Sequence, residues 1–184
     1  MISTSLAAMC AAAPAPYGID LQGRPVRELA GTGVHVVVLV FAASDCPISN
    51  RYVPEITRLN HEFESRGVKF WWVFPNPSDT AQVVAQHDRA FSIAESTILD
   101  RQQNLVRWSQ ATTTPEAVVF QSESGALREV YRGRIDDRYI SLGQERPAPQ
   151  HHDLENAIAA ALASKSIPEP DGPPVGCSIV FLQR

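Results

Sequence analysis

Residues 41–50 read FAASDCPISN, and within them Cys46 is the side chain best placed to do chemistry. It stands just past an apolar, β-branched run rather than inside it, and Pro47 follows directly. Proline is favoured at the first helical position, where its missing N–H would have had no partner. This order therefore predicts Cys46 at the N-cap of a helix, where free backbone N–H groups and the helix dipole stabilise a thiolate. An ordinary thiol with a pKa near 8.5 is about 3% ionised at pH 7, and a drop of two units raises that to about 75%. Asp45 opposes the shift with a negative charge next door. Ser49 is either a hydrogen-bond donor to the sulfur or a plain first-turn serine. The implied chemistry is nucleophilic attack by sulfur.

A second thiol lies far along the chain. Cys177, in the terminal GCSIVF, follows a proline-rich stretch at residues 168–174. Two roles stay open for it: a chemical one, resolving a disulfide on Cys46 or sharing a soft metal ion with it, and a purely structural one, packing a tail onto a sheet. Three cysteines (Cys10, Cys46 and Cys177) are too few and too scattered for a disulfide framework, and no CxxC or HExxH spacing occurs. His87 falls on the apolar side of a predicted helix, where a hydrogen-bonded core residue competes with a metal ligand. His151 and His152 precede a helix and are expected to be solvated.

The remaining composition narrows the class. The chain has 184 residues, a formal charge of −4, and 44% hydrophobic and 20% charged residues, which suits one domain with a sizeable core. A mildly acidic chain without a basic cluster argues against nucleic-acid binding. No apolar run approaches the ~20 residues of a membrane span. Residues 1–16 are small and apolar and read as either an export segment or a disordered terminus. An extracytoplasmic (periplasmic) location is one expectation from that segment, and a cytoplasmic one is the other.

Elements to hold these residues follow from periodicity. Residues 17–29 predict a small hairpin around Gln22-Gly23, and 35–41 a strand buried on both faces. From Pro47, Val53, Ile56, Leu59 and Phe63 recur at helical spacing until Gly67 stops them. Residues 68–74 (VKFWWVF) predict a second buried strand with one tryptophan ring on each face. A helix over 80–91, capped by Ser78 or Asp79, should show Val83, Val84 and His87 on its apolar face. A strand at 96–99, a helix at 102–109, a hairpin of 115–120 with 127–131 around residues 123–125, and a helix over 154–163 capped by Asp153 complete the order. Residues 133–150 read as irregular, with Arg132, Arg134, Asp136 and Asp137 pairing among themselves. The pattern predicts an α/β domain over 17–165 with helices on both faces of a mixed sheet, and a tail over 166–184.

These stretches resemble the thioredoxin superfamily, in its redoxin-domain (AhpC/TSA- and thioredoxin-like) branch of single-domain bacterial proteins. The resemblance rests on Cys46 after the first buried strand, Pro54 eight residues later, and Thr114-Pro115 opening the strand EAVVF. It also rests on CPISN, YRGRIDDRY and the terminal GCSI. It implies a thioredoxin-like mixed sheet with the extra β-α insertion of the redoxin branch. It further implies a cis peptide bond at Pro115 that turns the Thr114 backbone toward a partner beside the thiol. Three departures stand out. Ser49 replaces the resolving cysteine of Cys-x-x-Cys. Leu39 and Ala43 replace the Pro and Thr with which peroxiredoxins orient peroxide. Asn50 replaces the second cysteine of copper-delivery relatives of the Sco type.

The reading is a thiol-disulfide redox protein with Cys46 as nucleophile, Ser49, Thr114 and Pro115 around it, and Cys177 as possible resolving thiol. It needs no cofactor, and its partner would be a disulfide- or thiol-bearing protein or a small thiol, with no nucleic acid and no membrane span. The first alternative is a copper-binding module using Cys46, Cys177 and His87, since Cu(I) favours thiolates. The second is a catalytically degenerate redoxin kept as a binding domain.

Overall fold

The computed structural model describes residues 15–123 and 126–183. The N-terminal segment through residue 14, Cys10 included, and residues 124, 125 and 184 lie outside the described residues, so the turn expected around 123–125 is described only at residue 123. A seven-stranded mixed sheet runs in the order β2 (Pro25–Val26), β1 (Gly18–Ile19), β5 (Ser96–Leu99), β4 (Val68–Phe74), β3 (Val36–Phe41), β7 (Glu116–Glu123) and β8 (Ala126–Gly133). β3, β4 and β5 are parallel, whereas β7 runs antiparallel to β3 and to β8. Helices α1 (Pro47–Phe63), α2 (Ala81–Phe91), α3 (Asn104–Ser109) and α4 (Asp153–Leu162) flank it. Two small antiparallel pairs lie apart from the sheet: β9 (Tyr139–Ser141) with β10 (Gln144–Glu145), and β6 (Thr113–Thr114) with β11 (Cys177–Ser178).

The continuous apolar run of β3 follows from burial on both faces. Val36, Val38 and Val40 join Ile56, Leu59 and Phe63 of α1, Val84 of α2 and Leu154 and Ile158 of α4 in one core. Val37, Leu39 and Phe41 point the other way, onto Leu105 and Val106 of α3, Phe120 and, from the tail, Ile179. Each such fully buried aliphatic side chain contributes roughly 1.5–3 kcal/mol before entropy is counted. Trp72 enters the first core and Trp71 packs on the second, one ring per face as expected. Gly67, at φ 80°, closes α1 through a short 3₁₀ turn.

Several expectations need correction. The cap of α2 is Thr80, whose hydroxyl accepts from Val83 N, and Val83 itself is 40% exposed. The N-cap of α4 is His152 without a side-chain bond, because Asp153 is drawn away to Arg134 at 2.6 Å. The charges of 132–137 do not pair among themselves. Arg132 donates to Ser109 O, Asp136 accepts from the Tyr52 hydroxyl, and Asp137 caps the Gln150 and His151 N–H groups. The stretch 133–150, read as irregular, contains the β9–β10 hairpin.

Candidate thiol site

β3 ends at Phe41, and the chain turns through Ala42–Asp45 before α1 begins. Cys46 occupies the N-cap with extended backbone (φ −84°, ψ 112°) and Pro47 opens the helix. The cysteine is 1% exposed. Its turn is held from behind by a polar chain. Ser44 donates from both N and Oγ to Asp79, and Asn50 Nδ2 donates to Ser44 O at 3.2 Å. Asn50 Oδ1 in turn faces His87 Nε2 at 2.8 Å, and His87 Nδ1 faces Asp88 at 3.4 Å. Burial raises the Asp79 carboxyl despite the two Ser44 hydrogen bonds.

Across from the sulfur lies the loop opened by β6. The Thr114-Pro115 peptide bond is cis, as expected for this position. Cys46 Sγ lies 3.2 Å from the Thr114 carbonyl oxygen, which accepts from the thiol in its protonated form. Glu116, buried just after the proline, accepts from the N–H groups of Thr112 and Thr113 at 2.8 and 3.1 Å and so fixes this loop.

The tail closes the site. β11 lies antiparallel on β6, with Cys177 opposite Thr114 and Ser178 opposite Thr113. Thr114 Oγ1 donates to Cys177 O at 3.2 Å, and Ile179 N donates to Thr112 O at 3.0 Å. This register puts Cys177 Sγ 2.7 Å from Cys46 Sγ, with both cysteines free.

The two thiols are driven apart electrically. Burial pushes Cys46 up, but the Cys177 thiol and the nearby backbone N–H and hydroxyl of Ser49 outweigh it, and the net shift is downward. The Ser49 hydroxyl is buried and makes no hydrogen bond of ordinary geometry among the described residues. Cys177 is pushed up to about 12 by burial, by its hydrogen bond to the Cys46 sulfur, and by the charges of Cys46 and Asp45. Cys46 is thus the more acidic of the two thiols, and Cys177 the one that holds its proton.

Of the residues singled out in the sequence, Cys46, Ser49, Thr114, Pro115 and Cys177 converge. His87 does not join them as a third ligand, because both ring nitrogens face Asn50 and Asp88. Among the described residues, the three-residue group close enough to share a metal ion is Glu55, His152 and Glu155, and Arg58 already bridges its two carboxylates. Leu39 is buried in the core and Ala43 offers only a methyl group, so neither supplies the donor geometry of a peroxide site. Sequence reasoning missed Asn50, Asp79 and Glu116. Their partners lie on other elements, and only CPISN itself hinted at Asn50.

A central mixed sheet, a thiol at a helix N-terminus and a cis-proline loop opposite it define a thioredoxin-like protein. The chain belongs to the AhpC/TSA family, whose profile matches residues 9–131. Its fold is similar to that of an uncharacterised conserved protein from Geobacillus kaustophilus (TM-score 0.77, 23% identity, covering 94% of this chain and 91% of that one). It is also similar to a putative thioredoxin from Neisseria meningitidis (0.58, 20%, 82% and 89%). A secreted disulfide oxidoreductase of Mycobacterium tuberculosis shares the fold as well (0.51, 14%, 80% and 93%). No curated protein matches the chain by sequence. No helix among the described residues is long and apolar enough to cross a membrane.

Proposed function

We propose that the protein is a thiol-disulfide oxidoreductase in which Cys46 is the nucleophile and Cys177 the resolving thiol. The observation that carries this reading is the 2.7 Å approach of the two sulfurs. The Cys46 thiolate attacks one sulfur of a partner disulfide, forming a mixed disulfide and expelling the first partner thiolate. Cys177 then gives up its proton and attacks the Cys46 sulfur, expelling the second. The protein gains one disulfide, the partner's disulfide is reduced to two thiols, and two electrons pass. The Ser49 backbone N–H, which stays in place when the tail moves, lowers Cys46 for the first attack, and with Cys177 docked the further lowering makes Cys46 the better leaving group in the reverse direction.

The sulfur spacing favours this over copper. Two thiolates at ~2.3 Å from a shared tetrahedral ion stand roughly 3.8 Å apart, wider than the pair here. The test uses an aromatic disulfide reagent on the Cys10→Ser chain, which removes the third thiol. That chain should release two aryl thiolates and end as an internal disulfide. Adding Cys177→Ser should give one thiolate and leave the adduct on Cys46, while adding Cys46→Ser should end fast release. Fast thiolate release without Cys46, or an aryl adduct that persists on Cys46 when Cys177 is present, would refute the assignment.

A further inference from the structure

Cys46 has a problem that its own chemistry does not solve: it is sealed. Only 1% of it is exposed, and the segment covering its sulfur is the tail. If the thiol exchange proposed above takes place, a partner's sulfur must enter where Cys177 Sγ now lies, so the tail must leave first. What it leaves behind is a shaped site.

Beyond the β6 edge, two buried side-chain amides imitate a neighbouring strand. Asn76 Oδ1 accepts from Val180 N at 3.1 Å. Gln103 Nε2 donates to Val180 O at 2.7 Å, and Gln103 Oε1 accepts from Leu182 N at 2.9 Å. Gln103 is 2% exposed and holds a left-handed backbone (φ 54°), a conformation that costs a non-glycine residue energy and recurs at functional sites. With the tail gone, the Asn76 carbonyl oxygen would lose its backbone donor, and Gln103 would keep only its longer bond to Pro75 O. Their spacing then matches the N–H and C=O groups of any extended backbone laid along the same line.

The tail also records what fits. A Cβ on Gly176 would stand 2.1 Å from Thr114 O, so the position before the cysteine admits only glycine. Ile179, two after the cysteine, is 3% exposed in the second core. Beyond it the backbone is held but the side chains are not, since Val180 and Phe181 are 60% and 56% exposed.

We propose that the strip running from Thr114 past Asn76 and Gln103 is a receptor for an extended, cysteine-bearing segment of a partner polypeptide. The segment has the pattern Gly-Cys-x-aliphatic, and the chain's own tail occupies the strip at rest. Tail and partner occupy it in turn. The tail is a tethered competitor, and backbone recognition past the aliphatic anchor leaves the rest of the partner's sequence free.

The test separates this from the redox reading, because it involves no covalent step. The probe is a fluorescent peptide with the sequence of residues 174–183 in which serine replaces the cysteine. Binding is read by anisotropy on the full chain, with circular dichroism checking the fold. Wild type should bind weakly, its site being filled. Ile179→Asp, which removes the tail's anchor, should bind at least tenfold more tightly, and so should Gly176→Val, which ejects the tail without touching the core. Adding Gln103→Ala to either should cost about tenfold, the loss of two hydrogen bonds. A peptide with valine in place of its glycine should not bind. Equal binding by wild type and opened variants, or none by either folded variant, would overturn the proposal. So would tail exchange into dimers on size-exclusion chromatography, which would make a second copy the occupant. Each of these results leaves the Cys46–Cys177 chemistry to be judged by disulfide mapping alone.

Discussion

At the scale of single residues, the acidity of two touching thiols is split. Cys177 donates to Cys46 and is itself held up to about 12, while Cys46 is lowered. In the Cys10→Ser chain, thiolate absorbance should therefore show one group ionising below the usual thiol range and a second only near pH 12. Cys177→Ala removes a principal donor and should raise the Cys46 pKa by about one to two units, given ~1.5–3 kcal/mol for a hydrogen bond to a charged group. No rise in that variant would mean that the helix terminus and Ser49 set the thiolate on their own. The core of this arrangement was legible in the sequence, since Cys46, Pro47 and Ser49 lie within four residues and Thr114-Pro115 is a dipeptide. Asn76 and Gln103 carried no signal. A side-chain amide acquires its role from whichever backbone the fold brings past it.

Element by element, the loops that present the thiols depend on buried carboxylates. Glu116 gathers the Thr112 and Thr113 N–H groups and so shapes the short strand on which the tail docks. Glu116→Ala should cost about 1–3 kcal/mol of stability by orphaning those donors, measured by urea unfolding, and should also loosen the tail. Asp100 does the same for α3, accepting from Asn104 N at 2.7 Å and Val106 N at 3.0 Å. Burial nevertheless lifts its pKa to about 6. A carboxyl raised in this way binds its proton more tightly folded than unfolded. Its contribution is full below about pH 4 and is lost as pH rises through about 6, by about 3 kcal/mol. Asp100→Asn keeps an acceptor without a charge and should flatten that part of the stability–pH curve. The same slope in the variant would place the titration elsewhere. Helices and buried strands were readable because apolar periodicity marks them. The β9–β10 hairpin was not, because Ile140 and Leu142 point into solvent and leave no alternation. The N-cap position expected of Asp153 falls on His152, which makes no side-chain cap, and the Asp153 carboxylate is held instead by Arg134, just past β8.

Over the whole molecule, the tail ties the two ends of the domain's chemistry together. Its proline-rich approach was visible in the sequence, and the possibility that Cys177 returns to Cys46 could be stated. The landing site could not, because the antiparallel pairing of β11 on β6 depends on a loop fixed by Glu116 and on a groove lined from three other segments. A bond between the cysteines would close most of the chain into one loop and stabilise it by about 5 kcal/mol in the chain-entropy model. The most direct measurement is disulfide mapping of the oxidised full chain by non-reducing peptide mass spectrometry. The account predicts an intramolecular Cys46–Cys177 cross-linked peptide pair, lost on reduction and in either single-cysteine variant. Cys46 recovered as a free thiol after oxidation, or linked only between chains, would contradict it.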